Sequence, residues 1–319
     1  MDRATLKELL TLAYPMIISQ GAFEVMIFTD RYFMSLVSPT HMGASLAGGV
    51  ASFFCMSLFI GVLSYSNALT AQYFGRKQFD KCSLVVTQGL LLTLFFAPLL
   101  VAIGYISLGS FEFMGHAPEQ AILAQQYFII LIWGAIFSLG KTCIASYFSG
   151  IGRTHIVMIA DTVGVAINIP LTWALIFGYG EVPAMGIAGA AYATIISTLI
   201  SLLIFSCFYL EKRHATTFLV KQSFRLDRGI LRRFVRLGFP SGIEMFLNVA
   251  AFNLFLLMFQ SYGIAESASA AIVFNWDIVS YVPMIGLNVA IISLIGRHIG
   301  AGDTTLMSQV IRISFMLGL

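Results

Sequence analysis

Seven stretches of this chain contain no Asp, Glu, Lys or Arg: residues 32–75, 82–111, 120–140, 162–180, 182–210, 245–265 and 278–296. A helix needs roughly 20 residues to cross the hydrocarbon core of a bilayer, and each stretch is about that long or longer. The run over 32–75 accommodates the end of one helix, a turn and a second helix. The charges that remain sit in short clusters between the runs. That pattern predicts an all-α polytopic membrane protein, and it makes the few charges inside the apolar spans the functional question.

Composition agrees. The chain is 58% hydrophobic and 10% charged, with mean hydropathy +0.88, whereas a soluble domain is nearer a quarter charged. A disordered chain is excluded by the same numbers. The net charge of +3 follows the membrane topology and does not point to nucleic acid. Cys55, Cys82, Cys143 and Cys207 form no CxxC pair and read as packing residues. The five histidines lack HxxxH or HExxH spacing, so no metal site or cofactor is expected. There is no Walker A motif and no GxSxG elbow, which argues against an enzyme.

Spans are predicted near 12–36, 46–69, 84–107, 121–144, 156–178, 186–210, 239–262 and 272–295, with a ninth beginning near Met307. The first is read as a transmembrane helix, not a cleavable leader, since it holds Glu24, Asp30 and Arg31. Lysine and arginine concentrate on the cytoplasmic side of membranes. On this assignment every cation but Arg31 falls in the amino-terminal tail or in the 2–3, 4–5, 6–7 and 8–9 connections, with Lys141 placed in the 4–5 connection. The opposite loops hold Glu112, Glu119, Glu181 and Glu266. The tail is therefore expected in the cytoplasm. The stretch 211–237 reads as a basic cytoplasmic linker whose cations touch anionic lipid.

An internal repeat divides the chain. At an offset of 225 residues Leu12 matches Leu237, Pro15 matches Pro240, Ile60 matches Ile285, Gly61 matches Gly286, Leu69 matches Leu294 and Gly75 matches Gly300. Six crossings separate the copies, so both have the same orientation, as in transporters whose halves are related by an axis along the membrane normal. The expectation is a six-helix lobe over 1–210, the linker over 211–237 and an incomplete second lobe over 238–319. About 12 helices would complete the molecule, of which eight and part of a ninth are here.

Span 1 carries the most chemistry. Gln20 and Glu24 lie one turn apart on one face and Arg31 returns to it, while Asp30 points about 100° away from Arg31. Each charge near the bilayer centre costs roughly 2.5–3.5 kcal/mol on insertion scales. Glu24 and Arg31 either pair inside the bundle or line a cavity. Asp30 is a natural proton or sodium site, because an apolar surrounding penalises its charged form and a cation stabilises it. In span 7 Glu244 and Asn248 are one turn apart. Asn253 and Asn288 read as interhelical glue. Asn275 and Asp277 add polar groups to span 8. Asp161 reads as an ordinary charge at the start of a helix.

Several segments resemble the MATE family, the multidrug and toxic-compound extrusion transporters. They are Pro15 with Asp30 fifteen residues later; Ala71-Gln-Tyr-Phe-Gly-Arg76; Gly150-Ile-Gly-Arg-Thr154; Asn168-Ile-Pro-Leu-Thr-Trp-Ala-Leu-Ile-Phe-Gly178; Met185-Gly-Ile-Ala-Gly-Ala-Ala-Tyr-Ala-Thr194; and Leu237-Gly-Phe-Pro-Ser-Gly242. The resemblance implies twelve helices in two lobes and a monomer in a bacterial plasma (inner) membrane. It implies export of small amphiphilic, often cationic compounds in exchange for protons or sodium ions. Asp30 would be the coupling carboxylate, with Asn168 and Thr194 lining its cavity, and Gln20, Glu24, Glu244 and Asn248 would be candidates for contact with substrate. One branch of the family carries an Asp four residues after the span-5 Asn, where this chain has Thr172. Other members carry a span-7 Glu at the position of Asn248, where here the Glu is one turn earlier, at Glu244. The rival reading is a flippase for lipid-linked saccharides or peptidoglycan precursors. Such a protein needs a cationic cavity for phosphates, and Arg31 alone is a cation within the predicted spans.

Overall fold

The computed structural model describes residues 3–109, 111, 118–181, 183–262 and 264–318. Within these, the side chains of 256, 257, 259–262, 264–272, 274–279 and 318 are outside the description. The elements are α1 (Arg3–Val37), α2 (Pro39–Ser64), α3 (Ser66–Gly75), α4 (Phe79–Ser107), α5 (Pro118–Gly150), α6 (Thr154–Phe177), α7 (Ile187–Leu210), α8 (Lys212–Thr217), a 3-10 turn (Val220–Gln222), α9 (Arg228–Tyr262), α10 (Ile264–Ala301) and α11 (Thr304–Gly318). Among the described residues seven helical segments are long and apolar enough to cross a membrane: 3–37, 39–75, 79–107, 118–150, 154–177, 187–210 and 280–301. They correspond to the predicted spans 1–6 and 8. The span predicted over 239–262 is helical within α9. The side chains of Asn275, Asp277 and Glu266, and all of Glu112, lie outside the described residues.

Local chemistry explains where helices start. Ser38 accepts the His41 amide at 3.2 Å and Pro39 takes the first helical position of α2, where proline's missing N–H costs nothing. Asp227 and Asp303 cap α9 and α11 by accepting the amides of Ile230 and Leu306, each at 2.9 Å.

In the first half α1 packs on α6, α6 on α7, α7 on α5, and α5 on α2 and α4; from the second half α9 lies on α2, and α10 on α1 and α3. The main core gathers Phe128, Tyr147, Phe148, Phe205, Leu63 and Leu100, and a second cluster joins Leu9, Leu12 and Ala13 of α1 to Ala290, Leu294, Val310 and Ile313. The perimeter is as apolar as the interior: Phe28, Leu94, Phe95 and Ile106 are exposed by 62–83%. Lipid tails are as apolar as leucine, so a membrane protein need not hide such residues.

The 225-residue register reappears in three dimensions. After α3 the amides of Lys77 and Gln78 return to the carbonyls of Phe74 and Tyr73; after α10 those of Gly302 and Asp303 return to Ile299 and His298, their register equivalents. Both turns pass through a left-handed residue, Lys77 at φ 59° and Gly302 at φ 76°, the usual way to satisfy the last carbonyls of a helix. A Cβ on Gly61 would stand 2.7 Å from Cα of Gly242, and one on Gly286, the equivalent of Gly61, would stand 2.6 Å from N of Ile17, the equivalent of Gly242. The two lobes thus touch through equivalent pairs, α2 against α9 and α10 against α1.

Two sequence expectations need correction here. The fourth span does not end near residue 144, and Lys141 is not in the connection after it: helix α5 runs on to Gly150, because residues 142–152 carry no charge and Gly150-Ile-Gly152 is the first stop. The linker is also more than a lipid-facing basic strap. Lys212, Arg213, Lys221, Arg225 and Arg228 are exposed, but His214, Phe218, Val220 and Ser223 are buried, and α9 already begins at Arg228.

Docking of the linker is specific. Phe218 packs among Phe74, Phe79 and Tyr147. Ser83 Oγ donates to the Phe218 carbonyl at 2.7 Å, and Gln88 Nε2 to that of Arg225 at 2.8 Å. His214 lies 2.9 Å from the Tyr147 hydroxyl and 3.2 Å from Arg153 Nη1. Arginine can only donate, so His214 Nδ1 is the acceptor and Nε2 carries the proton. Burial, and then the Arg153 charge, push the His214 pKa down to about 4. A depressed histidine leaves the docked form fully stable above its unfolded pKa of about 6.5 and weakens it as the pH falls from there toward 4, at most about 1.4 kcal/mol per pH unit for one proton. Hydrogen exchange over residues 212–223 should therefore accelerate on acidification from pH 7 to 5, and His214→Asn should flatten that dependence. Exchange independent of pH in the native protein would contradict it.

Candidate functional site

Asp30 lies one helical turn before the next buried side chain of α1, Met34, and is itself only 8% exposed although it is a carboxylate. Its surroundings are polar in a specific way. Thr172 of α6 donates its hydroxyl to Oδ1 at 3.0 Å, and Thr194 of α7 lies 3.2 Å from Oδ2. The Thr194 hydroxyl has one proton and a second acceptor, the Ala190 carbonyl at 3.1 Å, so it serves one of the two at a time. Asn168, one turn before Thr172, is fully buried and gives its amide to Ser197 Oγ at 3.3 Å, while its Oδ1 has no hydrogen-bond partner. Tyr127 of α5 is buried within electrostatic reach of Asp30 and Arg31.

Three predicted residues, Asp30, Asn168 and Thr194, thus converge where α1, α6 and α7 meet. Thr172 completes the group and was not predicted; a threonine inside an apolar run carries no signal of its own, and the only hint was the family position it occupies. The set around Asp30 is all oxygen, a carboxylate and two hydroxyls, with the orphaned amide oxygen of Asn168 one turn away along α6. Hard cations take such ligands, and the same carboxylate can take a proton, with the hydroxyls turning to accept.

The remaining candidates are dispersed. Gln20 and Glu24 are half-buried on α1, and Glu24 feels the Arg31 charge without a direct ion pair. Glu244 and Asn248 are exposed on α9. Asn253 bonds the Val249 carbonyl of its own helix at 2.8 Å.

Asp161 is not an ordinary helix-start charge. It sits in the second turn of α6, its Oδ2 accepts from Ser19 of α1, and Lys141 Nζ of α5 is 2.9 Å from its Oδ1. Both side chains are largely covered, 24% and 13% exposed. Arg31 is therefore not the lone cation within the helices, since Lys141 and Arg297 also lie inside them. Lys141 is neutralised by Asp161, and Arg297 is held against Glu8 and the Gly150 carbonyl. Removing one member of a buried pair typically costs about 3–5 kcal/mol, since the other charge is stranded. Asp161→Asn should lower the melting temperature markedly, and Lys141→Gln in the same chain should restore most of it. A single variant as stable as the native protein would show that the pair is not buried in the membrane.

Against known proteins, the MatE family model matches residues 15–174 and 240–319. The chain belongs to the MatE family. The two matched blocks begin at Pro15 and Pro240, in the register of the internal repeat. Among curated relatives, "Probable multidrug resistance protein YoeA" of Bacillus subtilis is 30% identical over 86% of this chain and 61% of its own length. "Multidrug resistance protein PmpM" of Pseudomonas aeruginosa is 28% identical over 94% of this chain and 63% of its own. The chain thus spans less than two thirds of the length of these MatE relatives. Among solved structures, an outward-facing multidrug resistance MATE transporter of the MOP superfamily superposes with a TM-score of 0.85 at 23% identity, over 98% of this chain and 69% of that one. A MOP superfamily transporter from Pyrococcus furiosus gives 0.88 at 22%, with the same coverage. The shared fold is the two-lobe parallel-repeat bundle, so this MatE chain is an all-α, multi-pass membrane protein.

Proposed function

We propose that this protein is a secondary active exporter that moves small amphiphilic, often cationic compounds out of a bacterial cell across the inner membrane, by alternating access and in exchange for protons or sodium ions. The observation that carries this reading is the Asp30 carboxylate, buried between α1, α6 and α7 and held by the Thr172 and Thr194 hydroxyls. An acid kept at such a place costs insertion energy, and the multidrug resistance names of the relatives supply a use for it. Proton or sodium binding at Asp30 changes the charge of the lobe interior. A ligand shifts a conformational equilibrium only by its differential affinity for the two states, and a site whose hydration differs between them provides that difference. The working unit is taken to be a monomer in contact with membrane lipid, with no cofactor and no catalytic step.

Asn168, with its orphaned Oδ1, is assigned to the ion site, and Gln20, Glu24, Glu244 and Asn248 to substrate contact. The flippase reading is disfavoured because Lys141 and Arg297 are both engaged and present no bare cationic cavity to a phosphate.

The amino terminus and the linker are placed in the cytoplasm. Cysteine at Tyr179 should then react with an impermeant reagent from outside and cysteine at Gln222 only after the membrane is opened; the reverse pattern would overturn the orientation. For the function itself, cells expressing the whole gene product should extrude a fluorescent amphiphilic cation, and extrusion should stop when either the proton or the sodium gradient is dissipated. Extrusion indifferent to both would refute the coupling.

A further inference from the structure

The repeat register locates the axis between the halves. Ala71 and Gly296 are equivalents of one another, and a Cβ on Gly296 would stand 2.7 Å from that of Ala71, so the axis passes through this crossing of α3 and α10. Around it the packing is reciprocal. Gly75 rests on the backbone carbonyl of Arg297, and Gly300, the equivalent of Gly75, rests on that of Gln72, the equivalent of Arg297.

The polar contacts at the same crossing break the symmetry. Arg233 donates to Gln72 Oε1 at 2.6 Å, while the equivalent pair is Glu8 with Arg297 at 4.0 Å. Arg297 does more than its counterpart. Its Nε donates to the Gly150 carbonyl at 3.3 Å, and its guanidinium lies 5.3 Å from the centre of the Phe74 ring. Ser293, one turn earlier, donates to the Ser149 carbonyl at 2.7 Å. Second-half side chains thus reach the last carbonyls of α5: Ser293 shares that of Ser149 with the Gly152 amide, 2.9 Å away, and Arg297 takes that of Gly150, at a helix end that favours a cation. The register equivalents of Ser293 and Arg297 are Ala68 and Gln72, neither of them a cation.

We propose that Arg297 and Ser293 form a one-sided polar latch that holds the two halves closed at the basic-loop end of the bundle, and that it is released each time that end opens. The inference rests on the alternating-access reading above. The residues at the crossing are small, Ala71, Gly75, Gly296 and Gly300, so the two backbones approach closely there, and that packing is nearly symmetric about the axis whereas the polar bonds are not. The bonds made by the latch end on helix-terminal carbonyls, which water can reach once the end opens, so release strands no buried acceptor. Packing centres the crossing, and the polar bonds set its balance.

The test uses purified whole gene product in lipid nanodiscs, with the four native cysteines replaced by alanine. Spin labels go at Arg76→Cys and Ala301→Cys, which are register equivalents and both exposed. Distances are measured by pulsed electron resonance without substrate or gradient. The native protein should give mainly one short distance. Arg297→Ala should lower the closed-to-open ratio about tenfold, the worth of one charge-assisted hydrogen bond, and Ser293→Ala and Arg297→Lys should each lower it several-fold. If Arg297→Ala fails to fold, the other two variants decide. An unchanged distribution in both, even with a lower melting temperature, overturns the latch and leaves a packing role. Because no transport is measured, a shifted distribution in a protein that exports nothing would sustain the latch and count against the exporter reading. Export with unmoved distances would do the opposite.

Discussion

Asp30→Asn is expected to reduce gradient-driven export to the level of cells lacking the protein while leaving membrane insertion and folded yield near native. The side chain keeps its size and loses its titration. What is lost structurally is small: the new amide cannot accept from one of the two threonine hydroxyls, but Thr194 has the Ala190 carbonyl at 3.1 Å as an alternative acceptor. One neutral hydrogen bond is worth about 1 kcal/mol, and a buried charge is removed in exchange, which favours insertion. The competing view, that Asp30 only braces the bundle through Arg31, predicts loss of folded protein and rescue by neutralising Arg31. The geometry favours the first view, since the partners of the carboxylate are Thr172 and Thr194. Thr172→Val and Thr194→Val should each weaken coupling less than Asp30→Asn. If Asp30→Asn exports with unchanged gradient dependence, the coupling role is wrong and Glu244 is the next residue to test.

Gly75→Leu should be the most damaging single change to folding outside that site. The obstacle is the backbone of α10 at Arg297, which cannot turn aside as a flexible side chain would. Overpacking a tight interior usually costs 1–3 kcal/mol; here two helix backbones must part and the Arg297 bonds go with them, so about 3 kcal/mol or more is expected. Gly300→Leu should do the same from the other side of the axis. Gly109→Ala, where an added Cβ meets nothing within 4 Å, is the control. Gel filtration in mild detergent and a thermal melt decide the matter. A monodisperse Gly75→Leu protein with native melting temperature would refute the reciprocal packing.

Much of this was legible in the chain because membrane insertion writes in a simple code. Charge-free runs marked the spans, and the few identities at an offset of 225 pointed to the two lobes; that the matched glycines meet reciprocally across them emerged only from the structure. Asp30 stood out because an acid in an apolar run has a large cost and needs a reason. Thr172 did not, because threonine is tolerated in such a run and only its contact with Asp30 gives it meaning. Lys141 was counted with a connection and Asp161 was read as an ordinary helix-start charge for one reason: each was read alone, yet α5 continues nine residues beyond Lys141, and the two opposite charges on neighbouring helices neutralise each other. The linker's basic residues likewise masked the burial of His214, Phe218 and Val220, which depends on aromatic partners from three other segments and leaves no local pattern.

The central claim, that Asp30 couples ion entry to export, is tested most directly by measuring both fluxes together. Purified whole gene product in sealed vesicles should move a fluorescent cation when a proton or a sodium gradient is imposed, with a matching movement of that ion. Asp30→Asn should abolish the linked ion movement. Substrate movement in the native protein at the same rate with and without either gradient would contradict the account.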